Sequence, residues 1–206
     1  MSAAGDPPPE PVSFVSRAGT KLAHALDEFK LEVAGLTCAD FGCNVGGFTD
    51  CLLSRGAARV FALDTAYGTL DWRLRNDPRV VVMERTNALH APAPSEAADL
   101  IVIDLGWTPQ SLAIPASLRW LPTSNQQARI ITLVKPHYEA SAANRRNVQK
   151  GGLSAAEAEA TFHRVRDEMP SVGVRVVGEC ISPLTGAKSA RSGEGNREYL
   201  LLLART

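Results

Sequence analysis

The sequence predicts an α/β fold: a mostly parallel seven-stranded sheet with helices on both faces and an antiparallel hairpin at one edge. Three observations predict it. Short, continuously apolar segments such as Leu100-Ile101-Val102-Ile103 alternate with segments of helical periodicity, as strands buried on both faces require. The turn after the first of them is rich in glycine: Gly42-Cys43-Asn44-Val45-Gly46-Gly47. The last two apolar segments follow each other with no clear helix between, so they pair as a hairpin.

The elements follow in order. Arg17–Phe29 carries Leu22, Ala23, Leu26 and Phe29 at helical spacing and reads as an amphipathic helix ahead of the sheet. Thr37–Phe41 is the first strand and Gly47–Ser54 the helix after it, closed by Arg55-Gly56 as a C-terminal cap. Arg59–Leu63 is the second strand. Asp77-Pro78 makes a turn into the third, Arg79–Met83. Leu100–Asp104 and Ile130–Lys135 are the fourth and fifth. Ala155–Glu168 is an amphipathic helix capped by Ser154, and Val172–Glu179 and Glu198–Leu203 are the closing strands. Residues 1–12, with three consecutive prolines and few apolar side chains, read as a disordered leader, so one domain over 13–206 is expected.

Composition narrows the function classes. Lysine plus arginine number 22 and aspartate plus glutamate 22, so no global basic field exists and any nucleic-acid contact must be a local patch. The four cysteines, Cys38, Cys43, Cys51 and Cys180, form no Cys-x-x-Cys pair. Without a signal peptide they read as reduced thiols serving packing in a cytoplasmic protein. No apolar run reaches the roughly 18 residues that span a bilayer. His137 has no second ligand at metal spacing, so no metal is expected.

In a doubly wound sheet the ligand lies beyond the strand C-termini. Asp40, Asp64, Asp104 and Lys135 all fall at such ends. The glycine turn lets backbone approach a ligand, and Asp64 after the second strand suits a ribose hydroxyl pair. The same pattern serves dinucleotides, but Asp40 ahead of the first glycine is poorly placed for a phosphate. It suits the cationic groups of S-adenosylmethionine, which is therefore preferred. A Walker loop is excluded because no Gly-Lys-Ser/Thr follows. Taken singly, a strand-end acid is often a cap or turn residue; two in succession around a glycine loop are harder to explain that way. Lys21, Asp104, Lys135 and Glu198 also stand out, although Lys21 alone reads as a solvated helix face and Glu198 alone as an edge-strand charge.

Ser16-Arg17-Ala18-Gly19-Thr20-Lys21-Leu22, Asp40–Thr49, Leu70-Asp71-Trp72-Arg73-Leu74-Arg75, Asp77-Pro78-Arg79-Val80, Glu84-Arg85-Thr86-Asn87, Leu133-Val134-Lys135-Pro136 and Gly195-Asn196-Arg197-Glu198-Tyr199 closely resemble the TlyA family, the haemolysin-named branch of the FtsJ-like ribose methyltransferases. The resemblance runs in order from about Phe14 to the C-terminus. It implies a Rossmann-like methyltransferase fold, S-adenosylmethionine as donor, and 2′-O-methylation of RNA, usually ribosomal. It implies a catalytic tetrad on Lys21, Asp104, Lys135 and Glu198. It also places Asp64 at the cofactor ribose, Asn87 at the adenine edge, and Gly42, Asn44, Gly46, Gly47 and Phe48 around the methionine half, with Asp40 and Asp104 as further cofactor residues.

Three departures stand out. The family normally carries an N-terminal S4 RNA-binding domain, for which this sequence is expected to have no room, so a separate RNA-targeting partner is one possibility. Leu105-Gly106-Trp107-Thr108 follow the catalytic acid, where the family has an Asp-x-Ser-Phe pattern. The loop Gly186–Gly195 is longer and more basic, with Lys188 and Arg191.

A ribose 2′-hydroxyl is a weak nucleophile, whereas the sulfonium is already a good leaving arrangement, so alignment and proton removal fall to the protein. Lys135 is the residue expected beside the hydroxyl. Desolvation and Lys21 favour its neutral form while Asp104 and Glu198 favour its charged form, which leaves neutral base and charged orienting donor both open. Arg73, Arg75, Arg145, Arg146, Lys150, Lys188, Arg191 and Arg197 are candidate phosphate contacts, with Asn144–Gly152 as a flap. Trp72, Trp107 and Tyr138 are candidates to stack a splayed base. Each also has a plain reading as surface charge or cleft wall. A small-molecule or protein acceptor, a donor-binding scaffold without turnover, and membrane lysis are the competing functions. The filled tetrad argues against the scaffold, and the lack of a basic amphipathic or spanning segment argues against lysis.

Overall fold

The computed structural model describes residues 13–139, 153–186 and 196–206. The leader and the basic positions Arg145, Arg146, Lys150, Lys188 and Arg191 lie outside the described residues. Within them the chain forms a seven-stranded sheet in the order β3-β2-β1-β4-β5-β7-β6. The strands are β1 (Thr37–Phe41), β2 (Arg59–Leu63), β3 (Val80–Met83), β4 (Leu100–Ile103), β5 (Arg129–Val134), β6 (Val174–Ile181) and β7 (Tyr199–Arg205). The first five run parallel. β7 is antiparallel to both β5 and β6, which makes the expected edge hairpin.

Alternation along each strand divides the core in two. In β4, Ile101 and Ile103 join one apolar cluster while Leu100 and Val102 join the other. One cluster packs under α4 (Gln110–Leu118) and α6 (Ala155–Glu168), with Trp120 edge-on to Phe41 at 5.3 Å. The other packs under α1 (Ala18–Glu28) and α2 (Gly47–Ser54), through Leu22, Leu26, Phe48 and Leu52. A sheet covered on both sides needs the near-continuous apolar strands seen in the sequence.

Short helices α3 (Trp72–Arg75) and α5 (Pro136–Glu139) complete the set. The Ser154 cap on α6 is a full capping box with Glu157. Several ends differ from the sequence expectation. Met169–Val172 is a 3-10 turn, so β6 begins at Val174 rather than Val172. Asp104, Lys135 and Glu198 each lie one residue outside their strand. Two of them keep a backbone hydrogen bond to the sheet: Asp104 N–H donates to the Phe41 carbonyl and the Glu198 carbonyl accepts from Ser182 N–H, each at 3.0 Å. Asp40 lies inside β1, not at its end.

Candidate active site

The rim carries the site. β1 and β4 are neighbours although the chain visits β2 and β3 between them, so the sheet order reverses at this point. There the strands part and a crevice opens at their C-terminal ends. A cleft of about 360 Å³ lies there, a size that suits a small-molecule ligand. Its wall includes Gly42, Asn44, Asp64, Asn87, Asp104 and Lys135. A smaller hollow of about 90 Å³ shares Gly42, Asn44 and Asp104 with it and is closed by Ser16, Ala18, Val45 and Phe48.

The glycine turn is shaped by the sheet beneath it. The N–H groups of Gly42 and Cys43 both donate to the Leu63 carbonyl at 2.9 Å, so the turn is anchored on the end of β2. Gly42 has φ +91°, and a Cβ there would lie 2.7 Å from the Asp104 carbonyl oxygen. Conformation and space both demand glycine. At Gly46 and Gly47, also expected at the cofactor, the space a Cβ would take is filled by the protein. Gly46 faces Leu70 and Leu74, and Gly47 faces Ser16, Ala18 and Gly19 where α1 crosses α2. That close crossing brings the start of α1 to the rim.

Asp64 lines the cleft and is fixed by backbone donors. Its two oxygens accept the backbone N–H groups of Asn44 and Ala66, each at 2.8 Å. A carboxylate offers about four acceptor sites, so capacity is left for two hydroxyls. Asn87 uses its Oδ1 on the Leu89 N–H at 2.9 Å and lines the same cleft. Asp40 is fully buried behind the turn and lines neither hollow. Thr49 donates to its Oδ2 at 2.7 Å, and its Oδ1 has no partner among the described residues. Burial, the largest influence, together with the charge of Asp104 pushes its carboxyl up to about 7, while the Thr49 hydrogen bond opposes the rise.

The four tetrad candidates form two ion pairs. Lys21 Nζ meets Glu198 Oε2, and Lys135 Nζ meets Asp104 Oδ1. Lys135 also donates to the Leu105 carbonyl at 3.4 Å. Sheet register brings the pairs to one end. Val134 is opposite Tyr199 in the β5–β7 ladder, so continuing that register sets Lys135 beside Glu198. The Lys21–Glu198 pair is deeply buried, with side-chain exposures of 7% and 3%. Removing one partner would strand a buried charge, which costs about 3–5 kcal/mol.

Aromatic groups border Lys135. Tyr138 lies 5.7 Å from its Nζ, within cation–π range, and Trp107 lies 4.5 Å from Tyr138. Trp107 is 80% exposed and holds φ +57°, a conformation that costs a bulky residue energy. His137 packs on Tyr138 at 4.0 Å. Burial, with the Lys135 charge second, pushes its imidazole down to about 4, so it is neutral near pH 7. Trp72 is 74% exposed on α3. Arg75 is held by Glu84 at 2.5 Å and Arg73 lies 3.5 Å from Asp71, while Arg197 is exposed next to Glu198. All four cysteines are free thiols, and burial raises each above its ordinary range, which fits the packing role.

Ser16, Thr65, Thr86, Leu105 and Thr108 also line the cleft or hollow. No spacing rule singles out such side chains, because neighbouring loops supply them. Among the described residues no helix is long and apolar enough to cross a membrane.

A model of the FtsJ-like methyltransferase family matches residues 14–205. A 16S/23S rRNA (cytidine-2′-O)-methyltransferase, TlyA, of Mycobacterium tuberculosis (strain ATCC 25618 / H37Rv) is 41% identical over 199 residues, covering 93% of this chain and 68% of that relative. Hemolysin A of Brachyspira hyodysenteriae is 37% identical over 194 residues, covering 92% and 76%. A solved hemolysin-class structure from Streptococcus thermophilus superposes with TM-score 0.84 at 33% identity, covering 96% of this chain and 69% of that one. The magnesium protoporphyrin IX methyltransferase of Synechocystis PCC 6803 with bound SAM gives TM-score 0.59 at 14% identity, covering 97% and 87%, a likeness of fold alone.

Proposed function

The chain belongs to the FtsJ-like methyltransferase family, and we propose that it transfers a methyl group from S-adenosylmethionine to a ribose 2′-hydroxyl of RNA, with ribosomal RNA as the substrate class. One observation carries the reading. Two Lys–carboxylate pairs, drawn from the first helix, two strand ends and the lead into the last strand, gather at the rim that holds the Asp64 cleft. An rRNA acceptor sets this work in the cytoplasm.

The residues present fit the donor. The cleft wall carries the carboxylates of Asp64 and Asp104 and, among its lining residues, a single cation, Lys135. That charge pattern favours a cationic methionine half over a pyrophosphate. Asp64 would hold the ribose, Asn87 the base edge, and Gly42 and Asn44 the methionine half. The donor supplies an electrophilic methyl carbon on a sulfonium.

The protein's own part is alignment and proton handling. Asp104 and the Leu105 carbonyl fix Lys135 Nζ, which leaves it able to hydrogen-bond the ribose 2′ oxygen. The Lys135–Asp104 pair lies at the cleft wall, placed to take the proton that the 2′-hydroxyl loses. Lys21 and Glu198 form the neighbouring buried pair, which the β5–β7 register sets beside Lys135. Exposed Trp107, seated on Tyr138, offers a face for the target base.

The test is transfer of labelled methyl from S-adenosylmethionine to stripped ribosomal RNA and to isolated subunits, set against a pool of small acceptors. Label on a 2′-O-methyl nucleoside after digestion supports the reading. Label only on small acceptors, or none on RNA with saturable donor binding, overturns it.

A further inference from the structure

We infer that Gly186 is a positioning residue for the catalytic tetrad, acting through the Glu198 carboxylate. This rests on the methyl-transfer reading above. Glu198 Oε2 holds Lys21, and its other oxygen, Oε1, faces the backbone of Gly186. A Cβ at Gly186 would lie 2.8 Å from Oε1 and 3.5 Å from both the Glu198 Cδ and the Asn196 carbonyl oxygen. Gly186 is not among the residues of left-handed φ, so its backbone conformation does not demand glycine. The space toward Glu198 does.

A clash with the tip of a side chain is ordinarily cheap, because the tip swings away. Here it is not. The backbone on both sides is clipped: Gly186 N–H donates to the Asn196 carbonyl at 2.8 Å, and Ser182 N–H donates to the Glu198 carbonyl at 3.0 Å. Ser182 Oγ donates in turn to the Leu184 carbonyl at 2.6 Å, which folds the strand-exit segment against this clip. Glu198 is 3% exposed and has no solvent side to move into. With both backbones held, the carboxylate is the part that yields, and turning it draws Oε2 away from Lys21. Gly186 lines neither the cleft nor the hollow, so no direct contact with the cofactor competes with this account.

The test is a double-substitution cycle on the full chain with Gly186→Ala, Glu198→Ala and both, and with Thr185→Ala as an exposed neighbour outside the clip. Gly186→Ala is expected to lower kcat for RNA roughly 10- to 100-fold, the size that a misplacement of about 1 Å produces. Its Kd for S-adenosylmethionine should change less than about twofold, and Thr185→Ala should match the parent. The ¹³Cε resonance of Lys21, assigned by its loss in Lys21→Arg, should move in Gly186→Ala. In the Glu198→Ala background, Gly186→Ala should have no further effect on kcat or on the thermal midpoint. A parent rate with the Lys21 resonance in place overturns the inference, and so does the same loss with and without the Glu198 carboxylate. If Gly186→Ala is too unstable for kinetics, the midpoints alone decide, because a methyl that meets the carboxylate costs nothing once that carboxylate is gone. A parent protein that methylates no RNA would sink the acceptor reading instead, while the Lys21 resonance and the midpoints still judge Gly186.

Discussion

The Asp64 carboxylate accepts the backbone N–H of Asn44 at 2.8 Å and so ties the end of β2 to the glycine turn that follows β1. One side chain thus shapes the turn and offers its remaining lone pairs to the cleft. Asp64→Ala removes both. A hydrogen bond to a charged group is worth about 1.5–3 kcal/mol, so loss of even one should lower donor affinity by roughly 10- to 150-fold. Asp64→Asn, which keeps one oxygen for Asn44, should lose less. Titration calorimetry with S-adenosylmethionine compares the three proteins, and equal affinities would remove Asp64 from the cofactor site.

Lys135 separates binding from chemistry. It lines the cleft but is held by Asp104 and Leu105, not by the residues that would grip adenosine. Lys135→Ala should therefore abolish methyl transfer and leave donor affinity nearly intact. Lys135→Arg should not restore it, because a guanidinium keeps its proton and has a different shape. A single-turnover assay beside a binding titration reads both quantities, and ordinary turnover in Lys135→Ala would end its assignment.

Asp40 gives a pH signature. Burial lifts its folded-state carboxyl from 3.8 to about 7, so between these values the folded protein binds a proton that the unfolded chain has released. Stability then falls as pH rises through that window, by an amount on the order of a few kcal/mol once pH passes the folded value. Asp40→Asn keeps an acceptor for Thr49 and removes the titration. Urea midpoints at pH 5 and pH 7.5 should differ less in the variant than in the parent, and an unchanged difference would show that Asp40 is not the group responsible.

Trp107 should matter to RNA and not to the donor. Its ring is 80% exposed, so Trp107→Ala exposes little new surface and should leave the thermal midpoint close to the parent's. Stacking of a base on an aromatic ring is worth about 1–3 kcal/mol, so KM for RNA should rise roughly 5- to 150-fold. An unchanged KM would assign the ring to another task.

Much of this was legible in the sequence. β1, α2, β2 and α6 match residue for residue, because continuous apolar runs, a glycine stop and a Ser154 cap mark them. Helix α4 was not foreseen: Pro109 sits at its N-cap and Pro115 inside it, and proline reads as a breaker. α3 and α5, of four residues each, are too short to show a period. The four tetrad positions stand out singly, but their grouping into one site came from the resemblance, since spacing along the chain says nothing of a lysine and a glutamate 177 residues apart. For Gly46 and Gly47, composition points to a ligand loop, but the close packing toward Leu74 and the start of α1 that also demands glycine there is not visible in the sequence. Asp40 stood out as an acid before a glycine turn, but its complete burial is a property of the α2 and Thr49 packing above it.

The antiparallel seventh strand has a consequence for the life of the nascent chain. It wedges between β5 and β6, with Glu198 just ahead of its first residue, so a chain growing from its N-terminus lacks the carboxylate that pairs with Lys21 until β5 and β6 have already been made. The buried Lys21–Glu198 pair therefore waits for the insertion of this strand, a long-range pairing that is slow by nature.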